Sequence, residues 1–227
     1  MAAAKSRNGF VVGVTVVAVV LVAAVVVLVV WLNTLATSPG TLPAAKSVNQ
    51  ETGAITVGTG SDEVATYIDF MCPACNAFEQ KYGDALNDLV DDETITLNIH
   101  PVAILDSRSQ GTEFSTRSAN AMYCVADKNP EAALPFMKAM FAKQPAEGST
   151  GLTDDEILEI ANSSGATGIE SCVADQTYAK FVTAMTAKTP VQPGAGGIST
   201  PTIAVNGEVV SGSDLPADAD DFATLLK

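Results

Sequence analysis

Two cysteines separated by two residues, Cys72 and Cys75, carry the clearest chemical signal in this sequence. They follow the apolar run 64–71 and open a helical pattern, so the first sulfur should lie at a helix N-terminus. Unpaired N–H groups and the helix dipole stabilise an anion at that position. A thiol placed there has a lowered pKa and is both a good nucleophile and a good leaving group. The second thiol lies one turn further in and can resolve a mixed disulfide, so the motif predicts thiol–disulfide exchange.

Half of a zinc site is the alternative interpretation of a Cys-x-x-Cys pair. A zinc site needs two further soft ligands nearby. The remaining candidates are Cys124 and Cys172, which are widely spaced, and His100, the one histidine of the chain. We therefore predict no metal site and no cofactor. His100 ends a predicted strand before a proline, and we interpret it as a packed or hydrogen-bonded structural residue.

The charge of the chain argues against two classes of partner. The 227 residues include 12 basic and 26 acidic side chains, which gives a net charge of −14. Nucleic acid is an unfavourable partner for this surface, because its phosphates need neutralisation by Lys and Arg. Adhesion to anionic lipid is unfavourable for the same reason. The four cysteines form an even set, which is typical of an oxidising compartment.

An uncharged stretch of mostly Val, Ala and Leu occupies residues 10–32. At about 1.5 Å of rise per residue, a helix of this length spans a hydrocarbon layer of roughly 30 Å. The apolar part of a cleaved signal is usually only about 7–15 residues long, which favours a retained membrane anchor. The alternative is cleavage at the small residues 36–38. Lys5 and Arg7 precede the stretch, so residues 1–9 are expected in the cytoplasm.

The rest of the chain divides into a linker and one domain. Residues 33–53 are rich in Thr, Ser, Pro, Ala and Gly without hydrophobic periodicity, and we expect a flexible tether there. Residues 54–227 would form the folded domain outside the cytoplasm. Between about 112 and 188 the sequence contains only helical patterns, which indicates a helical insertion between two parts that contain strands.

Hydrophobic periodicity predicts the order of the elements in the domain. A strand, the helix that starts at Cys75 and a second strand form a βαβ unit with a parallel pair. Asn206-Gly207 joins the last two strands as a hairpin turn. We predict strands at 54–58, 64–70, 94–100, 202–205 and 208–210. Beyond the first helix, we predict helices near 112–127, 131–143, 153–162, 168–188 and 218–226.

In this order the elements resemble the thioredoxin fold with a helical insertion, as in DsbA-like thiol–disulfide oxidoreductases. The resemblance covers about residues 50–227. It is carried by Cys72-Pro73-Ala74-Cys75 at a strand-to-helix junction, by the helical block, and by residues 198–202, Ile-Ser-Thr-Pro-Thr, which match the cis-proline loop of the family. The fold class is therefore α/β, thioredoxin-like with an inserted helical subdomain, preceded by one transmembrane helix.

The resemblance implies a role for each residue of the two motifs. Cys72 would be the attacked sulfur and Cys75 the buried resolving one. Thr200 and Pro201, joined by a cis peptide bond, would lie against Cys72 and form a platform for substrate.

The two isolated cysteines, Cys124 and Cys172, fall in predicted helices of the insertion. Helices that pack together bring such residues within reach of a disulfide. Closing a loop of this size stabilises a fold by roughly 3–4 kcal/mol. A structural bridge is favoured over a second redox pair, because neither residue has a Cys-x-x-Cys partner.

Two departures from the family bear on the redox chemistry. Ala74 offers neither the donor nor the positive charge that a His supplies there in the strongest oxidants, so we expect a less oxidising pair. Many relatives place a buried acid six residues before the first cysteine, where Thr66 stands here. Asp69 is the nearest acid, but strand alternation from Thr66 puts it on the other face, which favours a turn or solvent-facing carboxylate over the alternative, a proton relay for Cys75. The group that takes the proton of Cys75 is therefore open, with water as a candidate.

These features together predict a membrane-anchored enzyme whose catalytic domain faces outward and introduces disulfides into exported proteins. By family implication, a membrane oxidase would reoxidise the reduced pair. One alternative is a disulfide reductase or isomerase of the same fold. The other is a non-catalytic thioredoxin-like module that binds peptides or acts as a chaperone.

Overall fold

The structure is a computed structural model that describes the backbone of residues 8–226 and the side chains of residues 12–31 and 38–226. The chain divides into two compact units, Met1–Ser38 and Pro39–Lys227.

The first unit contains one long helix, α1 (Asn8–Thr37). Its segment Val12–Trp31 has a mean hydropathy of 3.2, and it is long and apolar enough to cross a membrane. A membrane anchor and a signal sequence both have this length and composition near the N-terminus of a chain. Residues 1–7 of the expected cytoplasmic segment 1–9 lie outside the described residues.

The second unit is built on a mixed sheet of five strands, each of which lies within two residues of its predicted position. The strands are β1 (Ile55–Val57), β2 (Asp62–Ile68), β3 (Ile95–Pro101), β4 (Thr202–Val205) and β5 (Glu208–Val210). Their order in the sheet is β1-β3-β2-β4-β5. β2 and β3 are parallel, as the predicted βαβ unit requires, and the other neighbours are antiparallel.

The helices follow the predicted order, with two differences. They are α2 (Pro73–Asp91), α3 (Phe114–Lys128), α4 (Ala133–Ala142), α5 (Asp154–Ser163), α6 (Glu170–Ala174) and α7 (Ala179–Thr186). The helix predicted at 168–188 is in fact α6 and α7, because Gln176 adopts a left-handed backbone conformation with φ of 48° and breaks it. The helix predicted at 218–226 is a 3-10 helix over Ala219–Leu225.

One part of the hydrophobic core lies between α2 and one face of the sheet, and it is continuous with the buried residues of the helical insertion. Val64 and Ile68 of β2 alternate along this face with half-exposed neighbours, and Leu97 and Ile99 of β3 do the same. Thr66 also points into the core and is 3% exposed. The face of α2 that covers the strands includes the buried residues Cys75, Phe78, Tyr82, Leu86 and Val90. Burial of this helix face thus fixes the orientation of Cys75 towards the interior.

Residues 39–53, expected within a flexible tether, belong instead to the folded unit. The backbone N–H groups of Ala44 and Ala45 donate to Oδ1 of Asp127 at 2.6 and 2.8 Å. Val48 is buried in the core. This segment lacks hydrophobic periodicity because it is held by backbone hydrogen bonds rather than by one face of a helix or strand.

The insertion between β3 and β4 is cross-linked by a disulfide between Cys124 of α3 and Cys172 of α6. Next to it, the Asn120 amide donates to the Cys172 carbonyl at 3.4 Å and accepts from the Tyr178 N–H at 2.7 Å. A covalent bond and a buried amide therefore hold the same two parts of the insertion together.

Replacing both Cys124 and Cys172 by Ala should lower the free energy of unfolding by about 3–4 kcal/mol, because the unfolded chain regains the freedom of the closed loop. Urea denaturation of the wild type and of the double variant measures this difference. Thiol–disulfide exchange by the folded double variant should persist. Loss of exchange without loss of folded structure would contradict a structural role for this bridge.

Candidate active site

Cys72 stands at the N-cap of α2, immediately after the turn that leaves β2. Its backbone is extended, with φ of −78° and ψ of 116°. Its N–H donates to the carbonyl of Asp69 at 2.9 Å, which closes the turn. Pro73 occupies the first helical position, where its missing N–H costs nothing and its fixed φ suits a helix. The local sequence therefore directs the Cys72 side chain to the open end of α2.

The surroundings of Cys72 lower the pKa of its thiol to about 6. The hydrogen bond from the Cys75 thiol is the largest cause, and burial opposes it. The Thr200 side chain and the N–H groups of Cys75 and Ala74 also lower the pKa. The Thr200 hydroxyl is buried without a well-formed hydrogen bond in the described residues, so the N–H groups are the stronger donors to this sulfur. The thiolate is thus the main form of Cys72 at pH 7.

Cys75 is the complementary member of the pair. It is fully buried, and burial, followed by the hydrogen bond and the negative charge of Cys72, raises the pKa of its thiol well above the ordinary value. Both sulfurs are free thiols in this structure. One thiolate and one thiol in contact are the products expected when a disulfide between them has been reduced.

The loop before β4 lies directly against the first sulfur. The peptide bond Thr200–Pro201 is cis, as the family resemblance implies. Sγ of Cys72 lies 3.4 Å from the Thr200 carbonyl oxygen, to which the thiol donates when it is protonated. The antiparallel pairing of β4 with β2 brings this loop to the end of β2. The side-chain amide of Gln192 donates to the Pro201 carbonyl at 2.9 Å and so holds the loop in place.

Asp69 is buried, so the expectation of a solvent-facing carboxylate is wrong, whereas the alternative of a turn carboxylate is confirmed. Oδ1 accepts from the Met71 N–H at 2.9 Å and from the Ser115 hydroxyl at 2.7 Å. Oδ2 accepts from the N–H groups of Ile104 and Leu105, both at 2.9 Å. β2 ends at Ile68, so strand alternation does not extend to this residue. A single carboxylate thus joins the motif turn to the loop after β3 and to α3.

Burial raises the pKa of Asp69 to about 6, although its four hydrogen bonds act in the opposite direction. The group is therefore ionised at pH 7, in the form that accepts all four bonds. Its backbone N–H also lies 3.5 Å from the Cys75 sulfur. Sequence analysis offered the turn contact, which is a common role of Asp, but not the contacts with Ile104, Leu105 and Ser115, which lie far along the chain.

His100 has only structural contacts among the described residues. Its ring stacks on Tyr67, with 4.1 Å between the ring centroids, and Nδ1 lies 3.2 Å from the Thr52 carbonyl oxygen. Burial lowers its pKa to about 4, so the ring is neutral at pH 7. Within residues 8–226, no three metal-ligating side chains form a cluster.

Comparison with known proteins places the domain among thiol–disulfide oxidoreductases by fold. The family model described as thioredoxin matches residues 54–227. Reduced DsbA of Mycobacterium tuberculosis is 32% identical, with a TM-score of 0.62 over 70% of this chain and 84% of that chain. Reduced DsbG of the same organism, a disulfide bond oxidoreductase, is 32% identical, with a TM-score of 0.61 over 69% and 79%. MdbA of Actinomyces oris, 24% identical, has the same fold, with a TM-score of 0.63 over 82% and 92%. The thioredoxin-like α/β fold predicted from the sequence is thereby confirmed.

A further relative is a much longer protein of another class. The serine/threonine-protein kinase PknE of Mycobacterium tuberculosis is 33% identical over 118 residues, which are 48% of this chain and 21% of that protein. This chain thus spans about a fifth of the length of the curated relatives it matches. The similarity is limited to these 118 residues and assigns no kinase activity to this chain.

Titration of the Cys72 thiolate by its ultraviolet absorbance should give a midpoint near pH 6, because of the lowered pKa of that thiol. Cys75→Ala should raise the midpoint by removing the largest stabilising contact. Cys75→Ser keeps a hydroxyl donor and serves as the matched control, with a smaller rise. A wild-type midpoint at or above about 8, where an ordinary thiol titrates, would contradict this picture of the site.

Asp69→Asn should lower the free energy of unfolding by about 1–3 kcal/mol at pH 7, because an amide group cannot accept from all four donors. The pKa of Asp69 is higher in the folded protein, so its contribution to stability decreases as the pH rises from about 4 to about 6. The loss on substitution should therefore be larger at pH 5 than at pH 7. Urea denaturation at both pH values measures it. Ser115→Ala, which removes one donor, is the control with a smaller loss, and equal stability of Asp69→Asn and wild type would disprove the role.

Proposed function

The chain belongs to the thioredoxin family as a DsbA-like member, and on this premise we propose that it introduces disulfides into exported proteins through Cys72 and Cys75. The observation that carries the proposal is the state of the Cys72 sulfur. It lies at the N-terminus of α2, where the Cys75 thiol and the N–H groups of Ala74 and Cys75 help to lower its pKa to about 6. A stabilised thiolate is a good leaving group, which is what release of an oxidised substrate requires.

The reaction starts from the oxidised pair. A substrate thiolate attacks Sγ of Cys72, a bond forms between the two sulfurs, and the Cys72–Cys75 bond breaks. The electron pair of that bond moves to the Cys75 sulfur, which takes up a proton because its thiol has a raised pKa. A second substrate thiolate then attacks the substrate sulfur of the mixed disulfide and displaces Cys72 as a thiolate. Two substrate thiols have then been oxidised and one enzyme disulfide reduced.

The direction of transfer follows from which form of the pair is stabilised. Lowering the pKa of Cys72 stabilises the reduced form and so makes the disulfide a better oxidant. Ala74 contributes a backbone N–H but no charged or donor side chain. We therefore place the reduction potential between the values of about −270 mV for thioredoxin and about −120 mV for DsbA.

Asp69 has a positioning role in this proposal rather than a role as proton acceptor for Cys75. An ionised carboxylate has about four lone-pair directions, and Asp69 already accepts four hydrogen bonds. It is its N–H, not its carboxylate, that faces the Cys75 sulfur. We propose that water that enters with the substrate supplies the proton to Cys75 during substrate oxidation and accepts it when the pair is reoxidised.

The proposed location is the outer side of a membrane. The apolar span in α1 is long enough for an anchor, and Lys5 and Arg7 before it favour a cytoplasmic N-terminus. Reoxidation of the reduced pair then needs a partner that accepts two electrons, and we propose a membrane oxidase linked to a quinone.

Equilibration with a glutathione redox buffer tests the direction of transfer. We expect a potential clearly above −270 mV, the approximate value of thioredoxin. A value at or below it would favour a reductase and contradict the proposed direction.

Oxidative refolding of a reduced, unfolded protein tests whether the pair is catalytic. The oxidised wild type should restore disulfides. With Cys72→Ser, disulfide formation should proceed only at the uncatalysed rate, because no sulfur remains at position 72 to accept the attack. Cys124→Ala combined with Cys172→Ala is the control that should retain activity. Full activity of Cys72→Ser would instead identify a peptide-binding module.

A further inference from the structure

Gln144 contacts the backbone of the redox motif from a distant part of the chain. Its side-chain Nε2 donates to the carbonyl oxygen of Phe70 at 3.0 Å and to that of Cys72 at 2.9 Å. Gln144 lies 72 positions after Cys72, just beyond the end of α4 in the helical insertion. One amide group thus holds the two carbonyls that flank Met71, at the point where the turn enters α2.

The amide reaches the motif from a rigid support. The backbone N–H of Gln144 donates to the carbonyl of Phe141 at 3.1 Å, so the residue continues the last turn of α4. Phe141 is buried, and its ring lies 5.1 Å from that of Phe70, measured between centroids. α4 also packs against α2. The position of Gln144 relative to the motif is therefore fixed by packing as well as by its own hydrogen bonds.

The hydrogen bonds of the Cys72 carbonyl fix the backbone of this residue and thereby the position of its sulfur. It also accepts from the N–H groups of Cys75 and Asn76 at 3.1 and 3.2 Å, in the first turn of α2. The Cys75 thiol stabilises the sulfur most, and the N–H groups of Ala74 and Cys75 contribute while the sulfur stays close to them. The sulfur also lies 3.4 Å from the Thr200 carbonyl oxygen. A rotation of the Cys72 backbone would move the sulfur away from these groups.

We infer that Gln144 is a positioning residue for Cys72: by holding the carbonyls of Phe70 and Cys72, it keeps the sulfur at the N-terminus of α2. The helical insertion thereby takes part in the chemistry through the backbone of the motif. The inference rests on the proposed function of Cys72 and deepens it, since it names a residue that regulates how reactive this sulfur is.

Gln144→Met tests the inference, because Met has similar length but no donor. We expect the ultraviolet titration of the Cys72 thiolate to shift to higher pH. The rate at which the reduced enzyme attacks a small aromatic disulfide at pH 6 should fall roughly three- to tenfold, because, of the two lost hydrogen bonds, only the one to the Cys72 carbonyl acts directly on the residue that carries the sulfur. Gln110→Met is the matched control. The Gln110 amide donates to the Gly148 carbonyl at 2.7 Å, in the same connection between α4 and α5, and its loss should change neither quantity.

Gln144→Glu adds a second measurement, the pH dependence of the exchange rate, which would not respond if Gln144 only stabilised the fold. At pH 7 the ionised carboxylate would face two carbonyl oxygens without a donor, so the rate should be at least as low as in Gln144→Met. As the pH falls towards the range of a carboxyl group, the protonated acid regains an O–H donor. The ratio of the variant rate to the wild-type rate should therefore recover towards one, whereas the ratio for Gln144→Met should not.

Two results would overturn the inference. One is a folded Gln144→Met variant whose thiolate titration and rate equal those of the wild type. The other is a Gln144→Glu variant whose rate ratio does not change with pH. Failure of the proposed function is a separate result, in which wild type and Cys72→Ser alike show no exchange. The absorbance titration still reports on Gln144 in that case, because it needs no substrate.

Discussion

A sulfur anion taken out of water must be given other hydrogen-bond donors, and this requirement organises the domain. Cys72 is only 7% exposed, yet its pKa is lowered, since the Cys75 thiol and the N–H groups at the start of α2 replace the lost water. The loop around Thr200 covers the opposite side of the sulfur. That loop reaches the site only because β4 pairs with β2. Sheet pairing, helix position and thiol chemistry are therefore parts of one arrangement.

A second buried anion supports the first without taking part in its chemistry. The Asp69 carboxylate accepts from the turn of the motif, from the loop after β3 and from Ser115 at the start of α3. Its four hydrogen bonds offset only part of the cost of burying this charge, because burial still raises its pKa to about 6. The turn before Cys72 is consequently attached to the insertion from two sides, by Asp69 and by Gln144.

The local parts of the site could be predicted from the sequence, whereas its long-range contacts could not. The cysteine motif is recognisable because its strand, turn and helix are contiguous. Alternation misplaces Asp69, because the regular strand stops one residue earlier, at Ile68. The contact of Gln144 joins residues 72 positions apart and has no local signature. The break at Gln176 lacks the Gly or Pro by which turns are usually found, and residues 39–53 lack the periodicity by which packed segments are found.

The bridge between Cys124 and Cys172 has a consequence for how the protein matures. An enzyme proposed to make disulfides contains one, so each newly made chain would itself be a candidate substrate of its predecessors. Activity would not wait for this step, because the chemistry belongs to Cys72 and Cys75, whereas the bridge stabilises the insertion that carries Gln144. A young chain without its cross-link would therefore be active but less resistant to unfolding than a mature one.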